Sequence, residues 1–220
     1  MAKKTILSEN QRKVLQAIGF DRLFRENFYL TGGTALAEFY LQHRFSEDLD
    51  FFSEKEFDPQ AIFVFFKKNQ KSLKIKKIDY QQSFNRNFFF LYLGDDIVKT
   101  EFTYFPFRRI ETTVRKNGIE IDSVLDIAVN KVFTIYQKAR ARDFIDLYFI
   151  IKKYGFNLED LIKKARIKFD WHIDFLQLGS QFFKAHEVKD FPKMKIKEGR
   201  KAWQKFFLDE AKHIESKILS

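Results

Sequence analysis

Along the first 120 residues the hydrophobic positions change period several times, from the three-to-four spacing of a helix to the alternation of a strand. Ser8 to about Phe24 predicts a helix with Ser8 as its N-cap. Asn27 to Leu30 predicts a short strand, and Thr34 to Gln42 a helix with Leu36, Phe39 and Tyr40 on one face. Leu49 to Phe52 is strand-like, and Asp58 to Lys68 helical. Three alternating or aromatic-rich segments follow, "LKIKKIDYQQ", "FNRNFFFLYL" and "DIVKTEFTYF", with Gly94-Asp95-Asp96 as the tight connection between the last two. Asn117-Gly118 is a two-residue hairpin signal joining "ETTVRK" to "IEID".

After Asp122 the period becomes mainly helical. "DIAVNKVFTIYQKA" starts with Asp126 as a candidate N-cap, and its apolar stripe is Ala128, Val132, Ile135, Tyr136 and Ala139. "ARDFIDLYFIIKKY" stops near Gly155, Asn157 caps "LEDLIKKARIKF", and the tail from Gly199 is helical again. The expected organisation is a mixed helix–strand part over residues 1–120 and a helical part over 121–220.

Composition narrows the class. Hydrophobic residues make up 45% of the 220 residues and charged residues 32%, the balance of a chain with a real core. The longest apolar run, Phe88 to Leu93, is far short of the roughly 20 residues that span a bilayer. The opening "MAKKTILSENQRKV" has no apolar core of a secretory signal, so the expected location is cytoplasmic with no membrane partner. Cysteine is absent, which excludes disulfides, thiol catalysis and zinc-thiolate sites. The formal net charge of +10 favours a polyanionic partner such as RNA, or an acidic protein; lysines scattered over a generally basic chain are the plainer explanation.

Candidate chemistry concentrates in "FYLTGGTALAEFYLQHRFSEDLDFF". In a strand, residues two apart share a side, so Asp48 and Asp50 project together while Leu49 and Phe51 point into the core. Paired carboxylates repel unless a cation lies between them. Hard divalent ions such as Mg²⁺ take oxygen ligands, typically one or two carboxylates plus substrate phosphates. Glu101, in the otherwise apolar "VKTEFTYF", is the candidate third acid. Gly32-Gly33-Thr34 stands at a strand-to-helix junction, where glycine lets backbone approach a phosphate and Thr34 adds a hydroxyl. Alone, the acid pair reads equally as a salt-bridged strand edge and the glycines as a turn; together with Glu101 they are more specific.

These residues resemble the nucleotidyltransferases with a DNA polymerase β-like core, whose signature is a glycine-rich helix start followed by an acidic pair on a strand. More closely, residues 28 to 155 resemble the AbiEii/AbiGii toxin family, which includes the MenT tRNA-modifying toxins. The likeness rests on "LTGGTALAEFYLQHRFSEDLDFF", "VKTEF" and "VLDIAVNKVFTIYQKARARDFIDLYFII". It implies an α+β fold, a polymerase β-like core with a mixed sheet flanked by helices, followed by a helical C-terminal domain. It also implies Asp48, Asp50 and Glu101 as metal ligands for Mg²⁺ or Mn²⁺, and Gly32, Gly33, Thr34 and Ser46 at the triphosphate of an NTP. Lys131 matches the lysine expected near nucleotide phosphates and Asp143 the acid of the later motif, with Asp146 structural. The implied activity is transfer of NMP to an acceptor hydroxyl, with RNA, in particular the 3′ end of tRNA, as acceptor and a cognate antitoxin as protein partner.

Read from the residues alone, Asp143 and Asp146 lie at i and i+3 on one helix face, and Lys131, Arg140 and Arg142 are their nearest cations. An inter-helix salt bridge and a nucleotide contact are both compatible with that pattern. His43, His172, His186 and His213 form no metal spacing. Arg44 reads as a phosphate contact or a surface ion pair with Glu47. Lys193, Lys195, Lys197, Arg200, Lys201 and Lys205 read as an RNA contact or a solvated face. Two other functions stay open: modification of a small molecule or protein by the same fold, and a non-catalytic binding relative.

Overall fold

A computed structural model describes residues 5–196 and 200–219. The chain divides into two compact units, Met1–Ser123 and Val124–Ser220. Among the described residues the first unit holds a seven-stranded mixed sheet in the order β3-β4-β5-β2-β1-β7-β6. Its strands are β1 (Tyr29–Thr31), β2 (Asp48–Ser53), β3 (Ile75–Ser83), β4 (Arg86–Leu93), β5 (Asp96–Tyr104), β6 (Val114–Lys116) and β7 (Ile119–Ile121). β2 runs antiparallel to β1 and parallel to β5, while β3, β4 and β5 form an antiparallel meander.

Strand alternation decides which side chains build the core. Leu49 and Phe51 of β2, Phe89 and Leu91 of β4 and Phe102 of β5 are buried on one side of the sheet. Phe51 stacks on Phe102 with centroids 5.0 Å apart, and Phe66 and Phe89 meet at 5.6 Å. Helices α2 (Arg22–Asn27) and α4 (Pro59–Lys68) contribute further to this phenylalanine cluster, Phe24 meeting Phe65 at 4.6 Å, and α1 (Glu9–Phe20) buries Val14, Leu15 and Ile18. Such offset and edge contacts add to the area each ring removes from water.

The long first helix read from the sequence is two helices. Ser8 and Gln11 form a capping box on α1, as the N-cap reading expects. The chain then breaks at Asp21, whose carboxylate caps α2 by accepting from the Leu23 amide at 2.9 Å. Gly19 lies directly against the β6–β7 turn: a Cβ there would meet the Asn117 carbonyl oxygen at 2.2 Å. Asn117 and Gly118 both have positive φ, as a tight hairpin turn requires. The helix expected over Thr34 to Gln42 is also different in kind. A single α turn, α3 (Gly32–Ala35), widens into a π-helix over Leu36–Leu41. Its register is visible in the Gln42 amide donating to Ala37, five residues back, at 2.9 Å.

The second unit is helical: α5 (Val124–Gln137), α6 (Ala141–Tyr154), α7 (Leu158–Phe169), α8 (Phe175–Phe183) and α9 (Arg200–Leu219). Gly155 closes α6 in the left-handed conformation and Asn157 caps α7. The sequence reading of Asp126 as an N-cap does not hold. α5 already starts at Val124, and Asp126 is fully buried in its first turn, 2.7 Å from Lys168 of α7, whose side chain is also buried. A carboxylate without access to water needs such a partner. α8 has no counterpart in the sequence reading. Lys197 and Gly199 of the basic tail lie outside the described residues; Lys201 and Lys205 are exposed on α9. No helix among the described residues is long and apolar enough to cross a membrane.

Candidate active site

The site begins where β1 ends. In the sheet register Asp50 pairs with Thr31 on one side and with Glu101 on the other, and Asp48 pairs with Lys99. Laterally paired residues point to the same face, so Asp48, Asp50, Lys99 and Glu101 share the side of the sheet opposite the phenylalanine core. Burial follows the alternation: Asp48 and Asp50 are half-buried, and Leu49 and Phe51 between and beyond them are buried.

The glycines close in on these acids. Gly32 has φ +71°, a conformation open to glycine, and a Cβ on it would lie 2.6 Å from Asp50 Oδ2. A Cβ on Gly33 would meet Arg44 Nη2 at 2.2 Å and Ser46 Oγ at 3.1 Å. Neither position has room for a side chain, so peptide backbone runs directly beside a carboxylate and a guanidinium. Arg44 is accordingly buried, its Nη1 donating to the Phe45 carbonyl at 2.9 Å; it is not on the surface, as a surface pair with Glu47 would require. Thr34, fully buried, donates its hydroxyl to the Asp48 carbonyl and thereby fixes the start of β2 to α3. Thr31 donates to Asp122 Oδ2 at 2.6 Å, and Tyr40 to the Asp122 carbonyl at 2.8 Å, which ties the π-helix to the end of β7.

Two cations stand on the acid face that the sequence pattern did not single out. Lys99 Nζ donates to Asp48 Oδ2 at 2.9 Å. Arg86, the first residue of β4, grips both oxygens of Glu101: Nε reaches Oε1 at 2.7 Å and Nη2 reaches Oε2 at 2.6 Å. Thr103 adds a hydroxyl to Oε1 at 2.8 Å. The hydrogen bond to Glu101 holds Arg86 charged above the ordinary arginine range, against partial burial and with help from the charges of Glu101, Asp50 and Asp48. Both cations also lie over the Phe88 ring, Arg86 at 4.9 Å and Lys99 at 5.3 Å from its centroid. The signal for Arg86 was its place directly after the β3–β4 turn, diagonal to Glu101 on the same face of the sheet; spacing along the chain alone does not reveal it.

Asp48 and Asp50 suit a hard divalent ion: two carboxylates on one face, beside a glycine that brings no Cβ against Asp50. Glu101 differs, because its carboxylate is already bonded three times. Among the described residues no three His, Asp or Glu side chains are gathered as a metal cluster.

The remaining predicted site residues belong to the second unit. Lys131 of α5 bridges two aspartates of α6, Asp143 Oδ1 at 2.6 Å and Asp146 Oδ2 at 2.8 Å, and Arg140 binds Asp143 Oδ2 at 2.8 Å. Burial raises the Asp143 carboxyl pKa, but Lys131 and Arg140 outweigh it and hold the group below the ordinary aspartate range. The inter-helix bridge is therefore real, with Lys131 itself nearly buried.

Similarity to known proteins agrees with this arrangement. The family described as "Nucleotidyl transferase AbiEii toxin, Type IV TA system" matches residues 13–216. An uncharacterized protein of Aquifex aeolicus is 33% identical over 173 residues, which cover 77% of this chain and 78% of that protein. The crystal structure of JHP933 from Helicobacter pylori superposes with a TM-score of 0.61 at 24% identity, covering 96% of this chain and 94% of that one. MenT4, a nucleotidyltransferase toxin of Mycobacterium tuberculosis, gives 0.54 at 14% identity, over 95% and 86% of the two chains. At those identities the two structures speak for the fold, an α+β nucleotidyltransferase core with a helical C-terminal part, and the family match spans nearly the whole sequence. The chain thus belongs to the AbiEii family of nucleotidyltransferase toxins of type IV toxin–antitoxin systems.

Proposed function

We propose that this nucleotidyltransferase moves an NMP from an NTP to a hydroxyl of an RNA, with the 3′ end of tRNA as acceptor, and that Asp48 and Asp50 hold the divalent ion, Mg²⁺ or Mn²⁺, on which it depends. One observation carries the reading: the register of β1, β2 and β5, in which Asp50 lies between Thr31 and Glu101 and directly against Gly32. When bound, the ion neutralises phosphate charge and orients the triphosphate.

The chain's own residues supply the rest. Gly32 and Gly33 let backbone N–H groups approach the phosphates, while Arg44 and Ser46 stand behind Gly33. Thr34 sets Asp48 through its backbone carbonyl, a positioning role in place of direct phosphate contact. In the second unit Lys131 is held by Asp143 and Asp146, and it is the family resemblance that makes this lysine a candidate phosphate contact. The acceptor hydroxyl gives up its proton to water, its oxygen bonds to the α-phosphorus, the bond from that phosphorus to the bridging oxygen breaks and pyrophosphate leaves with that oxygen. For phosphoryl chemistry of this kind, positioning and charge neutralisation account for most of the catalysis.

RNA as acceptor is supported by the net charge of +10. Family membership supports a cognate antitoxin as protein partner. The test is incubation of the protein with each radiolabelled NTP, Mg²⁺ and total cellular RNA. A tRNA band gains label with wild type and none with Asp48→Ala, whose circular dichroism stays native. Label retained at the wild-type rate by Asp48→Ala overturns the metal assignment; label on protein or small molecules alone overturns the RNA acceptor.

A further inference from the structure

Glu101 and Arg86 form a unit whose geometry bears on how many ions the site needs. Glu101 is 5% exposed, in the middle of β5. A buried carboxylate on an apolar strand must be compensated. Here the compensation is complete within the protein: two parallel N–H donors from one guanidinium, at 2.7 and 2.6 Å, and the Thr103 hydroxyl at 2.8 Å. An ionised carboxylate offers about four lone-pair sites, and three of these are taken. The fork-to-fork pairing is the strong form of this contact, and a divalent ion on Glu101 would have to break it. The freed guanidinium would then face the ion at short range, charge against like charge.

The Arg86 side chain is itself half exposed, 52%, and three of its five N–H groups are not directed at Glu101. Arg86 is thus anchored at one end and open at the other. Its charge is felt at Asp48 and Asp50, and the Phe88 ring beneath it fixes the plane of the guanidinium. Asp48 is held more loosely, by a single lysine on one oxygen.

We propose that Glu101 is the anchor of Arg86 instead of a metal ligand: the site takes its divalent ion through Asp48 and Asp50 alone, and Arg86 presents to the nucleotide's phosphates the fixed positive charge that an ion on Glu101 would otherwise bring. This rests on the acid-pair reading above. Guanidinium matches phosphate oxygens bidentately, as it matches the Glu101 carboxylate, and cannot lose its proton. Arg86 is on this account a nucleotide-contacting residue, and Glu101 positions it.

The experiment separates metal from nucleotide binding, with no turnover required. Mn²⁺ binding to the full chain is followed by electron paramagnetic resonance, and binding of a non-hydrolysable, fluorescent ATP analogue by anisotropy. Asp50→Asn weakens Mn²⁺ by about tenfold or more, the scale of losing a charged contact, whereas Glu101→Gln changes it by less than about twofold. Arg86→Gln leaves Mn²⁺ alone equally tight or tighter, and weakens the nucleotide analogue by about tenfold. The double variant Glu101→Gln/Arg86→Gln replaces the ion pair by two amides, so it guards against misfolding of either single change; it keeps wild-type Mn²⁺ affinity and the Arg86→Gln nucleotide defect. Loss of Mn²⁺ in Glu101→Gln or in the double variant, with native circular dichroism, makes Glu101 a ligand and overturns the proposal. Wild-type nucleotide affinity in Arg86→Gln overturns it as well. If Asp50→Asn itself keeps Mn²⁺, the acid-pair reading fails and takes this proposal with it.

Discussion

At the scale of single residues, charge compensation is the recurring theme. Asp126, Asp143, Asp146 and Glu101 are all buried carboxylates, and each has a lysine or arginine from another helix or strand against it. Asp143 gives this a pH signature. Its folded pKa lies below the ordinary aspartate value, so the unfolded chain binds the proton first as pH falls. The stability it contributes is present in full above the unfolded value of about 4 and is lost as pH falls below it, through the lower folded value. Chemical denaturation of Asp143→Asn at a series of pH values shows a lower plateau at neutral pH, by less than the about 3–5 kcal/mol of a wholly broken buried pair because Asp146 remains, and a flatter acid limb. An acid limb as steep as wild type's contradicts the assignment. The Lys131–Asp143 pair was legible in the sequence as one of two options. Arg86 was not, because what makes it matter is a diagonal side-chain contact between β4 and β5 at a separation of fifteen residues, and no local pattern encodes that.

At the scale of elements, alternation in β2 and the three-strand meander could be read directly, since one side of each strand had to be apolar. The Asn117-Gly118 hairpin was equally plain, because the turn type needs positive φ at both residues. What failed had a tertiary cause. The break between α1 and α2 follows from the backbone contact of Gly19 with the β6–β7 turn, where a Cβ on Gly118 would in turn meet the Gly19 carbonyl oxygen at 2.1 Å. The π-helix after Gly32 follows no propensity; Tyr40 is drawn to the Asp122 carbonyl within it. The contact is testable. Gly19→Ala has nowhere to put its methyl group against backbone, so it lowers the unfolding free energy by about 1–3 kcal/mol, the usual cost of overpacking. A melting curve unchanged from wild type shows that the two segments are not held together as described.

For the whole molecule, family membership shows a nucleotidyltransferase, and on the proposed reading the acid pair on β2, beside the glycine turn, serves that transfer. The sequence carried this far because Gly32, Gly33, Asp48 and Asp50 fall within one short stretch, where helix and strand periods fix which side chains emerge together. Their relation to β5 and the identity of the neighbouring cations needed the fold. The most direct test follows the phosphorus atoms. The protein is incubated with Mg²⁺, cellular RNA and a mixture of the four NTPs, labelled either at the α- or at the γ-phosphate. The account predicts RNA label from the α-labelled mixture, label from the γ-labelled mixture only in released pyrophosphate, and neither with Asp50→Asn. RNA that takes label from the γ-phosphate, or undiminished α-label with Asp50→Asn, contradicts it.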